Sequence, residues 1–494
     1  MNSAAILVLM PLIILAGGII LLLLIIALQR SHLLSFIFSA LVLVVGFCSL
    51  FFIVDLVPQV MTPMVIIDSY ALFYIGLILA ASLVIVLLSY DYLKQQEGEQ
   101  EEYYLLVLMA ALGSAVLVIS QHFITLFLGL EILSVSLYVL ISYLYRREQS
   151  IEAGVKYLVL AASSSAFLLF GMALIYNATG TMEFVPLSQR LAMPESGTLL
   201  VFAGIAMMLV GIGFKLAIVP FHMWTPDVYQ GAPAPVTAFI ASISKGGMFA
   251  LILRFFITFD IYRFKHLLLI FTIIAIASMF FGNLLALRQQ NVKRILAYSS
   301  IAHLGYLLVA FLAGGRYAIP AATFYLVAYF VTTIGAFGII TVLSGKEREA
   351  EDLLDYHGLY WRHPWLAAIF TTTLFSLSGI PLTAGFVGKF YVLVAGVNSS
   401  LWLLVVVLVI NSAIGLYYYL RIVVAMFTPA AAESMEKQVM VINPAVSLLG
   451  GIVLAIMMLL LIGFGVYPFQ LIEIIQSIGT SFDSTVRESI NFIP

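Results

Sequence analysis

Long runs of apolar residues, interrupted by short polar stretches, recur along the whole chain. A helix needs about 20 apolar residues to cross the hydrocarbon core of a membrane. By that measure the pattern predicts about fourteen transmembrane segments, near residues 4–28, 33–55, 70–93, 103–119, 122–144, 153–177, 198–230, 236–257, 266–288, 294–313, 319–343, 364–394, 401–427 and 445–467. We therefore expect an all-α polytopic membrane protein.

The seventh and twelfth segments are too long for simple spans, and each contains an internal proline, Pro220 or Pro381. Proline lacks the N–H that a helix interior uses, and its ring clashes with the carbonyl one turn earlier. Backbone that leaves the helical conformation at membrane depth must be surrounded by protein or by a water-filled cavity. The sequence therefore predicts two broken helices, with internal water beside the first break.

The loops on the two sides of the membrane differ in their content of lysine and arginine. One side carries Arg30, Lys94, Arg146, Arg147, Arg288, Lys293, Arg294, Lys346, Arg348, Arg362 and Lys437, and the other carries only Arg190, Arg263, Lys265, Arg316 and Arg487. Cytoplasmic loops carry the excess of basic residues, so the first side is predicted to be cytoplasmic. With an even number of spans, both termini are then expected on the outer, periplasmic face.

The predicted spans group into four parts along the chain. These parts are a three-helix segment over 1–95, a five-helix unit over 103–257, a second five-helix unit over 266–427, and a C-terminal helix and tail over 445–494. An odd number of helices per unit makes the second unit enter the membrane from the opposite side, which is an inverted repeat. Position and residue type support the repeat, since helices 7 and 12 are both broken and carry Lys215 and Lys389.

Composition agrees with a membrane protein and excludes several kinds of site. Hydrophobic residues make up 63% of the 494, charged residues only 9%, and the mean hydropathy is +1.14. Such values lie far from those of soluble domains. Cys48 is the single cysteine, which excludes a disulfide, a cysteine-ligated iron–sulfur cluster and a structural zinc within the chain. The first apolar run is too long for a signal peptide, so we expect it to be retained as a span.

Glu131 and Lys215 are the first candidates for chemistry at membrane depth. A charge at the centre of a spanning helix costs about 2.5 to 3.5 kcal/mol unless it is paired. Glu131 shares a helix face with Ser134 and Tyr138, and a nearby amine and carboxylate favour each other's charge. We expect a functional pair. A static ion pair that only fixes helix packing is the alternative, although desolvation makes such pairs poor stabilisers.

Lys245 and Lys389 are predicted at similar depth and have no acidic neighbour in the sequence. An amine without a counter-ion in such a position can gain and lose a proton readily, although a lysine near a helix end can instead extend to the interface. His303 and His222 are of a type suited to proton transfer. We therefore predict a relay of Glu131, Lys215, Lys245, His303 and Lys389, to which His222 at the helix break is added. Asp227 is expected to cap or orient the loop after the first break.

Nucleotide, metal and redox motifs are missing from the sequence. It contains no G-x-G-x-x-G after a strand, no Walker motif, no H-E-x-x-H and no haem or flavin signature. A proton path made only of Glu, Lys and His needs an external source of energy. We therefore expect partner subunits to supply it, and we expect no cofactor, no metal and no nucleic-acid partner for this chain.

Two long motifs carry a resemblance to a known family. GFKLAIVPFHMWTPDVYQGAPAPVTAFIASISK and SGIPLTAGFVGKF closely resemble the antiporter-like proton-channel subunits of respiratory complex I, over about residues 100–430. The P-D-V-Y-x-G-A-P form and the lysine in G-F-V-G-K-F are similar to one branch of that family. The other branches would show an A-H form of the loop after the broken helix. One of them would also carry glutamate at the position of Lys389, and another would end in a long lateral helix.

The resemblance implies a membrane-arm subunit of a bacterial NADH:quinone oxidoreductase in the inner (plasma) membrane. It implies that protons move through this chain while electrons pass from NADH to quinone in other subunits, which hold the FMN and the iron–sulfur clusters. The family's glutamate–lysine pair falls on Glu131 and Lys215, its central lysine on Lys245 and its terminal lysine on Lys389. Adjacent antiporter-like and small membrane subunits are the implied partners, together with the lipid bilayer.

Two other functions stay open from the sequence. A subunit of a cation/proton antiporter would use the same lysines and draw on an ion gradient. A structural membrane scaffold would carry these charges without using them.

Overall fold

The fold is almost entirely α-helical. A computed structural model describes residues 3–191, 198–346, 348–429 and 447–491. Thirteen helices in this part of the chain are long and apolar enough to cross a membrane: Met10–Leu28, His32–Phe52, Ser69–Lys94, Glu101–Val118, Phe123–Ile141, Glu148–Thr179, Leu199–Leu216, Ala234–Thr258, Lys265–Leu287, Val292–Ala313, Gly315–Leu343, Trp402–Phe427 and Leu448–Val466. Two shorter apolar helices, Pro364–Ser378 and Ala384–Asn398, together occupy the place of the remaining predicted span. The predicted helical membrane fold is confirmed, and the inverted repeat stays a prediction.

Smaller elements connect these helices. They are the helices Ser3–Val8, Phe184–Leu191, Trp224–Gly231, Leu359–Arg362 and Phe469–Asn491, the 3₁₀ turns Leu50–Phe52, Val54–Leu56, Ile261–Arg263 and Leu353–Tyr356, and an antiparallel hairpin of Gln59–Thr62 with Val65–Ile67. The predicted C-terminal tail is therefore largely a helix, Phe469–Asn491. Lys437 and Pro494, which entered the loop and terminus predictions, lie outside the described residues.

The first predicted break is present in the structure. One helix ends at Leu216, and the next begins at Trp224. Leu216 is the residue whose carbonyl an unbroken helix would have bonded to the N–H that Pro220 lacks. Polar groups in the break find other partners, because the Val219 N–H donates to Ser278 Oγ at 3.0 Å and Trp224 Nε1 donates to a backbone carbonyl at 2.9 Å.

The second predicted break lies between Ser378 and Ala384. Gly379 ends the first half with a φ of 85°, a left-handed conformation that glycine adopts without steric cost. Its N–H donates to the carbonyls of Phe375 and Ser376, at 3.0 and 3.1 Å. The carbonyl of Ser378 at the end of this half is left free to accept from a side chain.

A third interruption was not predicted. The helix that carries Lys245 (Ala234–Thr258) contains a π-helical turn over Ile240–Ser244, immediately before the lysine. Such turns are rare in helices and occur often at functional sites. The helix therefore changes its winding where its buried amine projects.

The three helices at the centre of the bundle are Ala234–Thr258, Val292–Ala313 and Gly315–Leu343, and they are almost completely buried. In contrast, about a third or less of Met10–Leu28, His32–Phe52 and Leu448–Val466 is covered. The outer helices therefore leave many apolar side chains exposed on the surface of the bundle. Lys245 and His303 are carried by central helices.

Candidate functional site

Lys215 lies at the end of the helix before the first break, and its side chain is 3% exposed. Its Nζ donates to Ser134 Oγ and to the Tyr157 hydroxyl, both at 3.0 Å. Glu131 lies one turn before Ser134 and accepts from Ser165 Oγ at 2.7 Å. The Glu131 carboxylate interacts electrostatically with the amine, but no oxygen of it lies within 4.0 Å of Lys215 Nζ. The predicted pair is therefore not a direct ion pair, because the amine and the carboxylate bond to different hydroxyls.

Lys245 is buried, with 1% of its surface exposed. Its Nζ donates to Ser300 Oγ at 2.7 Å and lies 5.2 Å from the centre of the Tyr229 ring. Ser300 also accepts from the Tyr329 hydroxyl at 2.6 Å. Within the described part of the chain, no carboxylate lies within ion-pair distance of this amine. A shared serine hydroxyl therefore takes the place of a counter-ion.

His303 lies one turn after Ser300 on the same helix, Val292–Ala313, and is buried. The Tyr325 hydroxyl lies 2.7 Å from Nδ1, and the Tyr419 hydroxyl lies 3.2 Å from Nε2. Both ring nitrogens therefore have a hydroxyl partner that can either donate or accept. Such an arrangement suits a histidine that exchanges protons.

Lys389 projects back toward the second break. Its Nζ donates to the Ser378 carbonyl at 2.8 Å and to Ser412 Oγ at 2.9 Å, and it lies 5.2 Å from the centre of the Tyr306 ring. The side chain is 6% exposed. The alternative in which this lysine extends to the membrane interface is therefore wrong, because the break provides a buried carbonyl as acceptor.

A small cavity separates His303 from Lys389. It has ≈ 10 Å³ of space for the centre of a water molecule, and Tyr325, Tyr329, Thr332 and Ser376 also line it. That volume is close to the minimum that one water needs, and the lining supplies several polar partners. One water could therefore connect the histidine to the lysine.

A row of polar and aromatic side chains that contact each other extends from Lys215 to Lys389, and Glu131 lies near its Lys215 end. Ser300, His303 and Tyr306 follow each other at one-turn spacing on the Val292–Ala313 helix and lead from Lys245 to Lys389. On the other side, the aromatic rings between Lys215 and Lys245 are Tyr157, Trp224 and Tyr229, with centroid distances of 5.0 and 6.4 Å between successive rings. The Trp224 indole can donate a hydrogen bond but cannot accept one. Proton transfer between Lys215 and Lys245 therefore needs water molecules.

His222 lies in the first break, apart from this row. It is buried, and neither ring nitrogen has a hydrogen-bond partner of normal geometry among the described residues. The Pro220 carbonyl is the polar group with which it interacts. The structure therefore does not join His222 to the other five residues.

Asp227 lies in the short helix Trp224–Gly231 after the first break, so its predicted place in a loop is wrong. It bonds instead to cations on two neighbouring helices. It accepts from Lys156 Nζ and from Arg294 Nη1, both at 2.9 Å. These three side chains border a cleft of ≈ 250 Å³ at the end of the bundle that is predicted to be cytoplasmic. Asp227 therefore connects two helices across the mouth of a water-accessible cleft.

Two buried ion pairs were missed by sequence reasoning. Lys293 donates to Glu349 at 2.6 Å, although the sequence suggested only a loop lysine. At the opposite end of the bundle, Arg254 makes two bonds to Asp68, at 2.8 and 2.9 Å, and both side chains are almost fully buried. An arginine inside the eighth apolar run was the signal that could have revealed the second pair, since such a charge must have a partner.

Potential metal ligands do not cluster in the described part of the chain. Within residues 3–191, 198–346, 348–429 and 447–491, no group of three or more His, Cys, Asp or Glu side chains could hold a metal ion. The buried polar groups of the row are instead arranged to exchange hydrogen bonds with each other.

Comparisons with known proteins give matches over most of the chain. A family model described as "NADH:quinone oxidoreductase/Mrp antiporter, TM" matches residues 120–415. The NADH-quinone oxidoreductase subunit N of Ectopseudomonas mendocina (strain ymp) is 46% identical over 479 residues, which cover 96% of both chains. The family match contains all of the row from Glu131 to Lys389.

Solved structures share the fold over nearly the whole chain. A chain of respiratory complex I from Thermus thermophilus with bound aureothin is 31% identical, with a TM-score of 0.80 over 94% of this chain and 98% of that one. Chains of the Mrp complex from Dietzia sp. DQ12-45-1b and of an archaeal membrane-bound sulfane sulfur reductase are 19% and 23% identical. Their TM-scores are 0.85 and 0.82, each over 99% of this chain and 100% of theirs, and they show similarity of fold alone.

The family match exceeds half of the chain, and the bacterial relative is similar over almost its full length. The chain therefore belongs to the NADH:quinone oxidoreductase/Mrp antiporter family of membrane proteins and, within it, to the subunit N group of the NADH-quinone oxidoreductases.

Proposed function

We propose that this chain is a proton-translocating subunit in the membrane arm of an NADH:quinone oxidoreductase. Protons move through Glu131, Lys215, Lys245, His303 and Lys389, and electron transfer in partner subunits drives them. The observation that supports this most is the row Lys245, Ser300, His303, Tyr306 and Lys389 across the bundle centre. Buried amines bonded to hydroxyls can pass a proton without forming a fixed ion pair.

Partner subunits supply what this chain lacks. The relatives are parts of larger respiratory assemblies by their names, and we infer that this chain likewise assembles with other membrane-arm subunits. The NADH site, the FMN, the iron–sulfur clusters and the quinone site belong to those partners. The complex resides in the bacterial inner membrane.

Cation/proton exchange is the competing function, because the Mrp complex contains a chain of the same fold. Such an exchanger would use the same lysines, so the row alone does not separate the two functions. The 46% identity to an NADH-quinone oxidoreductase subunit N favours the proposed function. Co-purification of the chain with flavin and iron–sulfur subunits supports the proposed function, whereas sodium-dependent exchange by an assembly without redox centres contradicts it.

The direct test of the row is the substitution Lys215→Ala in the assembled complex. It removes the amine next to Glu131, and we expect NADH-driven proton pumping to fall at least about tenfold, the scale of a lost proton-transfer group. Lys265→Ala, at an exposed lysine, is the matched control. Full pumping by an assembled Lys215→Ala complex would exclude the relay.

Orientation is a separate proposal, based on the distribution of basic residues among the loops. Both termini are periplasmic. A reporter enzyme fused after residue 494 is expected to be active in the periplasm, and one inserted between residues 346 and 362 is expected to be active in the cytoplasm. The reverse pattern would show that both termini are cytoplasmic and would overturn this orientation.

A further inference from the structure

Glu349 lies in the loop after the Gly315–Leu343 helix and is buried among four other elements. Its Oε2 accepts from Lys293 Nζ at 2.6 Å, and its Oε1 accepts from the Ala234 N–H at 2.9 Å and from the Tyr92 hydroxyl. Arg147 approaches Oε1 at 3.8 Å. One carboxylate thus contacts the third span, the start of the Lys245 helix, the start of the His303 helix and the segment before Glu148–Thr179.

Lys293 is equally well bonded. Besides Glu349, its Nζ donates to the Gln230 carbonyl at 2.9 Å and to the Ala232 carbonyl at 2.6 Å. An ammonium group has three donors, so all three are used. The two carbonyls flank Gly231, the last residue of the helix Trp224–Gly231, just before the Lys245 helix begins at Ala234. Lys293 therefore fixes the junction of these two helices against its own helix.

Both groups that touch the Lys245 amine are attached directly to this arrangement. Tyr229, whose ring faces the amine, immediately precedes Gln230. Ser300, which accepts from the amine, lies two turns after Lys293 on the same helix. We propose that the Lys293–Glu349 pair is a positioning element for Lys245, because it holds Ser300 and Tyr229 at the distances that the proton path requires. The proposal rests on the function proposed above.

Stabilisation of the fold alone does not explain the choice of these residues. A buried ion pair contributes little net stability compared with apolar side chains of similar volume, because both charges lose their hydration. Fully bonded polar groups do, however, select one arrangement of the elements that they join. The arrangement selected here is that of the two helices carrying Lys245 and Ser300.

The test is a double-mutant cycle in the assembled complex, with NADH-driven pumping per NADH oxidised as the readout. Glu349→Gln keeps an oxygen for the Ala234 N–H but removes the charge, and Ser300→Ala removes the acceptor of Lys245. Each is expected to lower the pumping ratio by about threefold or more, and the double variant is expected to be little worse than Ser300→Ala alone, because interacting residues are non-additive. Lys293→Met is expected to behave as Glu349→Gln does.

Asp68→Asn is the matched control, since Asp68 is a buried carboxylate bonded to a buried cation at the other end of the bundle. The effects of Asp68→Asn and Ser300→Ala on pumping are expected to be additive. The effects of Glu349→Gln and Ser412→Ala are also expected to be additive, because Ser412 bonds to Lys389 and not to Lys245. Additive effects of Glu349→Gln and Ser300→Ala in assembled complexes would overturn the positioning role. If Ser300→Ala and Lys215→Ala both leave pumping unchanged, the proposed function itself fails.

Discussion

The buried cations of this protein form two groups that differ in depth and in partners. Lys215, Lys245 and Lys389 lie beside the two breaks or the π-helical turn, and their amines bond to serine and tyrosine hydroxyls or to a backbone carbonyl. Lys293 and Arg254 lie near opposite ends of the bundle, and each bonds to a buried carboxylate. Residues of similar charge and burial are therefore held in two different ways.

The two kinds of partner differ in whether they fix the protonation state of the cation. A carboxylate and a cation in a low-dielectric interior favour each other's charge, so such a pair keeps its charge state and holds its elements together. A serine or tyrosine hydroxyl can donate or accept, so an amine bonded to hydroxyls keeps a hydrogen bond whether or not it is protonated. The end pairs are suited to fixing geometry, and the central amines are suited to changing protonation.

The largest effect on pumping is expected from Lys389→Met. The substitution keeps an apolar side chain of similar length but removes the terminal amine of the row, so pumping should fall at least about tenfold in assembled complexes. Proton uptake by inverted membrane vesicles, relative to NADH oxidation, measures it. If this variant pumps normally, the hydroxyl-bonded amines do not share one function.

A smaller effect is expected from Gly379→Ala. A Cβ at this position would lie 2.8 Å from Lys389 Cδ, and its φ of 85° is unfavourable for alanine. The lysine must then move away from the Ser378 carbonyl, and we expect pumping to fall at least about threefold. Gly463→Ala is the control, since nothing lies within 4 Å of its added Cβ. Equal pumping by both variants would show that the position of the Lys389 amine does not matter.

Asp68→Asn should separate stability from pumping. It leaves Arg254 buried without its counter-ion, which is expected to cost about 3 kcal/mol of stability. Heat-induced release of the subunit from the purified complex should therefore occur at a lower temperature, while the pumping ratio of the intact complex stays the same. A lowered ratio would instead place this pair on the proton path.

The smallest effect is expected from pH acting on the Lys293–Glu349 pair. Burial opposes ionisation of Glu349, but the Lys293 charge and the hydrogen bonds from Lys293 and Tyr92 outweigh it, and its pKa is lowered from the ordinary 4.5. Because its pKa is lowered, Glu349 stays charged at any pH above its folded-state pKa. The contribution of the Lys293–Glu349 ion pair is lost only as the pH falls through that pKa. Glu349→Gln should therefore reduce pumping by the same factor at about pH 6 and about pH 8. A factor that changes between these two conditions would contradict a fixed ion pair.

Local features of the sequence determined the spans, the two breaks and the buried positions of the lysines. The length of an apolar run sets whether a helix can cross the membrane, and a proline in the middle of an overlong run, Pro220 or Pro381, indicated each break. The C-terminal helix Phe469–Asn491 and the π-helical turn at Ile240–Ser244 were missed. The first is too polar for a membrane span, and the second has no simple sequence signature.

Only the tertiary structure decided which partner each charge has. Glu131 and Lys215 were expected to pair, yet Ser134 and Tyr157 bond the amine. Lys293 pairs with Glu349, which is 56 residues away in the sequence, and Arg254 pairs with Asp68, which is 186 residues away. A buried charge requires a partner, and that requirement is visible in the sequence. Which group satisfies it depends on how distant helices pack, because hydrogen bonds and ion pairs form only over a few ångströms.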